Sequence, residues 1–508
     1  MKINSNKQLR LGAVLSYASM IIGYIVQIIY TPIMIRIIGQ SQYGLYNLTN
    51  SIVSYLSLFS LGFGTAYVRF YMRHKKDNDT DAISKMNGMF IVVFLILGLL
   101  ATITGFILVV HSNSILGNKF TISELRLAKK LMFLMVINIA ISFPLIPIVS
   151  YIQANERFIF QNSLNIVRQV LNPFLSLPLL LLGFGSLGMI FVTTIISLLI
   201  GAWQIMYSIK KLSFKFSLHG LDFSELREVA LFSFFLFLNA LTDQINWNID
   251  KFIIGRYYGA VPVAIYGIAA QLNTYYLNLS TAISSVYVPR INMVVAKGAQ
   301  NMDTVLTKMF INIGRTQFVI VVLVLIELAF LGRPFIGFWV GKNYYDAFPI
   351  LMILIIPVTI PLIQNTGIAI QQAKNMHIFR SLLYVVIAVA NALLSLVLVK
   401  PYGALGTAFA TAISLIIGNG FLMNWYYQKH IGIDVIQFWK KICRFVPLVI
   451  VSLLVGFLST HFVNVYSVSG FIIEGIIIAI VYAAMLFFTG LDKNEREKVL
   501  NKLSKALK

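Results

Sequence analysis

GSLGMIFVT at residues 185–193 returns as GALGTAFAT at residues 403–411, about 220 residues further along the chain. Gly185, Leu187, Gly188, Phe191 and Thr193 are matched by Gly403, Leu405, Gly406, Phe409 and Thr411. Nearly the same offset recurs upstream. Arg36, Gly39 and Tyr46 match Arg256, Gly259 and Tyr266, Gln153 and Ala154 match Gln372 and Ala373, and Asn172 matches Asn391. Matches that keep one order and one offset mark an internal duplication, so the fold is expected to contain two copies of one unit.

What surrounds these motifs is too apolar for water. Of 508 residues, 58% are hydrophobic and 11% charged, whereas soluble surfaces need about a quarter charged residues. Apolar runs of about 18 to 25 residues recur from end to end, each long enough to cross a hydrocarbon core as a helix. The reading is an all-α polytopic membrane protein of about fourteen transmembrane helices, with spans such as 11–38, 45–68, 130–152, 348–371 and 403–426. The first run is too long for a signal-peptide core and is expected to remain in the mature chain. Cys443 is the only cysteine, which excludes an intramolecular disulfide and a cysteine metal cluster.

A net charge of +22 would suggest nucleic acid in a soluble protein. Here the basic residues cluster in alternate connections, at Lys2, Lys7 and Arg10, at Arg69 to Lys85, at Lys210 to Arg227, at Lys429 to Arg444 and in the tail after Lys493. That pattern is a topology signal and places both termini in the cytoplasm, with no nucleic-acid partner. The loop bearing Lys119, Arg126, Lys129 and Lys130 runs against the bias. The expected divisions are an N-terminal six-helix lobe at 1–227, a pseudo-symmetric C-terminal six-helix lobe at 228–441, an accessory transmembrane hairpin at 442–490 and an amphipathic cytoplasmic tail at 491–508. Six spans per copy is an even number, so both copies run in the same direction through the membrane, as in transporters built from parallel repeats.

Polar residues inside the spans point to the interior, because ionisable groups at membrane depth cost about 2.5 to 3.5 kcal/mol and avoid lipid. Asn239, Asp243, Asn246 and Asp250 share one face of the seventh span, beside Gln244, Asn248 and Lys251. Gln161, Asn165, Arg168 and Asn172 do the same in the fifth; Tyr24, Gln27 and Thr31 line up in the first, and Asn47, Asn50, Ser54 and Ser57 in the second. Lone polar residues such as Asn138, Asn312 and Glu327 read as contacts between helices. Stripes over three turns on several helices predict a hydrated cavity instead. Arg36, Arg168, Lys251, Arg256 and Arg315, against Asp243 and Asp250, make it weakly cationic, and guanidinium groups suit phosphate oxygens; for Arg36 and Arg256 snorkelling at the outer interface is the competing reading. The candidate substrate-binding set is therefore Arg168, Asn165, Asn172, Gln161, Gln27, Asn50, Asn239, Asn246, Lys251, Arg36, Arg256 and Arg315.

These residues resemble a family. Gly39 with Tyr43, Gly44, Leu45 and Tyr46, the run Leu61 to Ala66, Gln153 with Ala154, and Gly403 to Gly406 with Thr411 and Ser414 are similar to the polysaccharide transporter branch of the multidrug/oligosaccharidyl-lipid/polysaccharide (MOP) flippase superfamily, which includes the Wzx O-antigen and capsule repeat-unit flippases. The resemblance covers nearly the whole chain. It implies two six-helix lobes that move an undecaprenyl-diphosphate-linked oligosaccharide across a bacterial plasma membrane by alternating access, serving surface polysaccharide synthesis alongside a polymerase and assembly proteins. It implies no bound cofactor, and coupling to a proton or sodium gradient with Asp243 and Asp250 as the candidates. The first span has no acid, unlike many drug-extruding relatives, and lacks the paired charges of a lipid II flippase, although Arg36 leaves room for that function. A drug or small-molecule antiporter and a lipid II flippase are the alternatives. No enzyme is expected, since the loop Gly332 to Phe348 has only Asp346 as an acid.

Overall fold

In lipid every backbone polar group must find a partner within the chain, and among the described residues all regular structure is helical. The computed structural model describes residues 5–77, 79–220, 224–298, 300–376, 378–491 and 495–497. Most of the expected amphipathic tail lies outside the described residues. The protein is an all-α, multi-pass membrane protein. Among the described residues nine helical stretches are long and apolar enough to cross a membrane, or ten if one bent pair counts as a span. Large apolar side chains such as Ile25, Leu99, Phe174 and Leu199 cover the outside, as a lipid-facing surface requires.

By contact the chain forms two compact units, Met1–Gly267 with Val399–Ala404, and Ile268–Leu398 with Leu405–Lys508. The first begins with Ser5–Ser54 (α1), which kinks at Gly39 (φ 77°, ψ 171°). The span expected at 45–68 is broken. A 3-10 turn at Tyr55–Ser60 ends at Leu61 and Gly62, both with positive φ, and Phe63–Lys76 (α2) starts again. Then come Thr80–Val110 (α3), Ser112–Leu116 (α4), Ile122–Ser142 (α5), Ile146–Ala154 (α6), Phe158–Leu181 (α7), Gly185–Leu212 (α8) and Ser224–Tyr258 (α9). Ala260–Ser285 (α10) starts in this unit.

Short contacts align one end of the unit. Ser41, just past the kink, donates to Glu124 at the start of α5 at 2.5 Å, and Arg256 at the end of α9 donates to the Ser114 carbonyl at 3.1 Å. At the other end an aromatic cluster of Tyr67, Tyr71, Phe90, Tyr151 and Phe214 fills the core. The linker after α8 is folded onto it: Tyr151 donates to the Leu212 carbonyl at 2.7 Å and Asn87 to the Lys215 carbonyl at 2.7 Å.

The second unit holds Val288–Lys297 (α11), Met302–Trp339 (α12), Ala347–Ile363 (α13), Thr366–Ala373 (α14), Met423–Tyr426 (α16), Val435–Cys443 (α17), Val446–Ser459 (α18) and Val468–Met485 (α19). Ile378–Leu415 (α15) kinks at Gly403, and its residues 399–404 belong to the first unit. The duplication is visible in local structure. Gly39 and Gly259, and Gly185 and Gly403, all take positive φ, which glycine adopts without a Cβ penalty. The α5–α6 break at Pro144 and Pro147 has its counterpart in the 43° bend between α13 and α14. Helices α18 and α19 pack on each other and on α12.

Candidate functional site

Helix α7 packs along α1, and this fixes which way its polar stripe points. Asn162 donates to the Gly12 carbonyl at 2.9 Å, and Gly23 leaves room for the Gln169 amide, whose oxygen would be 2.9 Å from a Cβ there. With that side of α7 held against α1, Gln161 and Arg168 open onto a cavity of about 380 Å³ inside the first unit. Its walls come from the start of α2, the α5–α6 break, α7 and α8. Besides Gln161 and Arg168, the polar lining is Thr65, Ser142, Ser150, Gln153, Ser197 and Gln204. Gln204 donates to Gln161 at 3.4 Å, bridging α8 to α7.

The electrostatics are simple. Arg168 lies ten residues into α7, about 15 Å along the axis, near mid-depth in a 24-residue helix. The residues lining the cavity include no carboxylate, and among the described residues Arg168 forms no ion pair. A guanidinium at this depth needs water or an anion. The amides and hydroxyls around it supply neutral hydrogen-bond partners, a setting that suits a phosphate-bearing or polyhydroxylated group.

Other members of the stripes are engaged elsewhere. Asn172 accepts from Thr193 of α8 at 3.1 Å and from Ser176 at 3.3 Å. Asp250 is 1% exposed and accepts from Tyr266 of α10 at 2.7 Å. Gln244 accepts from Ser54 at 3.1 Å and from Asn248 at 2.7 Å. Asn165, Asn246 and Lys251 are half-buried. Gln27, Arg36, Asn50, Asn239, Asp243 and Arg256 are exposed. Arg315 lies in the second unit, where it donates to the Gly490 carbonyl at 3.2 Å and pairs with Glu495 at 3.3 Å. The stripe reading missed Gln204, Ser142, Ser150, Ser197 and Thr65. Ser197 and Gln204 lie two turns apart in α8, a spacing the reading did not register, whereas Thr65, Ser142 and Ser150 come from three different helices that only packing brings together; Gln153 was visible through the repeat and the family motif.

A family model described as "Polysaccharide biosynthesis protein" matches residues 10–295. A Shigella flexneri protein named "Putative O-antigen transporter" is 22% identical over 415 residues, covering 78% of this chain and 91% of that protein. Among solved structures, the lipid II flippase MurJ in an inward closed conformation superposes with a TM-score of 0.72 at 18% identity, over 94% of this chain and 98% of that one. An inward-facing multidrug resistance MATE family transporter of the MOP superfamily gives 0.61 at 15% identity, over 82% and 98%. A MOP superfamily transporter from Pyrococcus furiosus gives 0.58 at 16% identity, over 82% and 95%. With a family match over more than half its length and this shared fold, the chain belongs to the polysaccharide biosynthesis protein family and to the MOP flippase superfamily of membrane transporters.

Proposed function

We propose that the protein is a flippase for an undecaprenyl-diphosphate-linked oligosaccharide repeat unit, moving the saccharide head group across a bacterial plasma membrane by alternating access. One observation carries the reading: a single guanidinium at mid-membrane depth in a cavity lined by amides and hydroxyls and by no acid. Arg168 holds phosphate oxygens, while Gln161, Gln153 and Gln204 meet sugar hydroxyls. The family match and the Shigella relative support a saccharide pathway. Fourteen spans follow if the kinked stretches Val14–Lys76 and Ile378–Ile431 each cross twice and α9 and α10, whose polar faces lower their hydropathy, each cross once. An even number of crossings agrees with two cytoplasmic termini. Asp243 and Asp250 remain the candidates for ion coupling in this scheme, with a polymerase downstream.

The likeness to the lipid II flippase over nearly the whole chain favours a second reading, in which the head group is that of lipid II. One experiment separates the two. Deleting the gene in its host should leave undecaprenyl-linked repeat units on the cytoplasmic face and deplete surface glycan, with cell-wall synthesis intact. Normal surface glycan without a paralogue would refute the first reading, and rescue of a strain depleted of its lipid II flippase would establish the second. Altered drug sensitivity alone would point to an antiporter.

A further inference from the structure

Far from the Arg168 cavity in sequence, the second unit buries an acid that the transport scheme does not use. Glu474 of α19 is fully buried, in a helix whose other residues from 468 to 485 carry no charge. It lies next to Ser459, the last residue of α18, and faces Glu327 of α12. A Cβ at Gly475 would sit 3.5 Å from Glu327 Oε2, so the absence of a side chain there lets the α12 carboxyl reach α19. Leu331 stands beside Gly475, and Phe330 packs against Gly456 of α18.

Glu474 has few hydrogen-bond partners. Ser459 Oγ is 2.7 Å from the Val455 carbonyl oxygen and 2.6 Å from Glu474 Oε1. Both distances are those of full O–H···O bonds, but a serine hydroxyl has one proton to give. Ser459 donates to Glu474 Oε1, and the Val455 carbonyl, four residues back in the same helix, is the usual neighbour of a helical serine, so Glu474 has one shared donor. The other oxygen, Glu474 Oε2, is buried without a hydrogen-bond partner, a position far more costly for an anion than for a neutral acid. Two ionised carboxyls side by side in this apolar setting would compound the cost.

Among the described residues the neighbouring cationic and polar groups are engaged elsewhere. On α12, Arg333 stacks over the Tyr345 ring at 5.1 Å, and Arg315 is paired with Glu495. Beyond α18, His461 Nδ1 contacts the Phe457 carbonyl at 2.9 Å; on α19, Tyr482 donates to the Val319 carbonyl at 2.7 Å. Among the described residues no group of three or more His, Cys, Asp or Glu gathers here.

We propose that Glu474, with Ser459 and Glu327, forms a proton-binding site within the membrane-spanning part of the second unit. The two carboxyls share one proton, with Ser459 donating to Glu474 Oε1. Removing it leaves two carboxylates facing each other across α12 and α19, so the packing of the α18–α19 hairpin depends on its presence. This holds whichever saccharide is carried.

The test is infrared difference spectroscopy on the full-length protein in lipid nanodiscs. At neutral pH the wild type should show the carbonyl stretch of a protonated carboxyl, and Glu474→Gln, which leaves Glu327 without its partner acid, should lose or shift it. Identical bands in both proteins, or loss of a carboxylate band instead, would overturn the proposal. Ser459→Ala retains both acids and should shift the band, keeping the test alive if Glu474→Gln misfolds; an unmoved band would remove Ser459 from the site. Replacing potassium by sodium at constant pH should leave the band unchanged, and a sodium-dependent loss would overturn the proton in favour of a metal cation.

Discussion

The two copies of the duplicated unit agree where they hold helices together and differ where one of them carries charge. In the first, Asn172 accepts from Thr193 and Ser176; in the second, Asn391 accepts from Thr411 at 3.3 Å and Ser395 at 3.5 Å. The bracket is the same down to the residue types. Four residues before Asn172 stands Arg168, open to a cavity. Four residues before Asn391 stands Ile387, 8% exposed and packed on Gly418. The second copy has its arginine two turns earlier, at Arg380, stacked over Tyr384 at 4.6 Å. Duplication has kept the interhelical hydrogen bonds, whereas the guanidinium opens onto a polar cavity at mid-depth in the first copy and stacks on an aromatic ring in the second.

Putting charge where the second copy has none is the severest challenge to this contrast. Ile387→Arg should cost about 2.5 to 3.5 kcal/mol, read as reduced membrane abundance and a lower melting temperature in detergent. A variant as stable as wild type would mean that the second copy has a hydrated pocket of its own. The reverse change is next in size. Arg168→Ala should cut translocation about 10- to 100-fold, as loss of a charged hydrogen bond worth about 1.5 to 3 kcal/mol implies, at unchanged protein level, with partial rescue by lysine. Surface glycan measured against immunoblotted protein checks it, and equal loss of protein in the alanine and lysine variants would assign the side chain to folding.

Smaller effects sharpen the likeness rather than the difference. Asn172→Ala and Asn391→Ala should each cost about 0.6 to 1.7 kcal/mol, the range of interhelical hydrogen bonds in membranes, and lower transport only in step with abundance. A transport defect specific to Asn172 would place it among the ligand contacts after all. At the matched glycines, alanine at positive φ costs about 1 to 2 kcal/mol. Gly185→Ala should lose up to about 1 kcal/mol more than Gly403→Ala, because a Cβ at 185 would come within 2.6 Å of Gln42 Oε1 whereas at 403 the nearest atom is 3.8 Å away on Tyr258. A larger loss at Gly403 in thermal unfolding would show that backbone strain outweighs the collision.

Much of the fold was legible along the chain. Apolar run length separates lipid from water as solvent, and the offset of Gly185 to Gly403 and Asn172 to Asn391 exposes the duplication before any coordinate. The break at Leu61–Gly62 was not legible, since an apolar run looks the same whether its helix is continuous or restarted. Helical periodicity put Gln161, Arg168 and Asn172 on one face of α7, but a face has no knowledge of its neighbour. Packing of α8 turned Asn172 into a bracket, while the walls from α2, α5 and α6 left Arg168 in a cavity; Asp250 lost its freedom to Tyr266 in the same way. Glu474 shows the limit most clearly. As a letter it is one acid in an apolar run; its bond to Ser459 at 2.6 Å and its place beside Glu327 exist only where tertiary contact brings α12, α18 and α19 together.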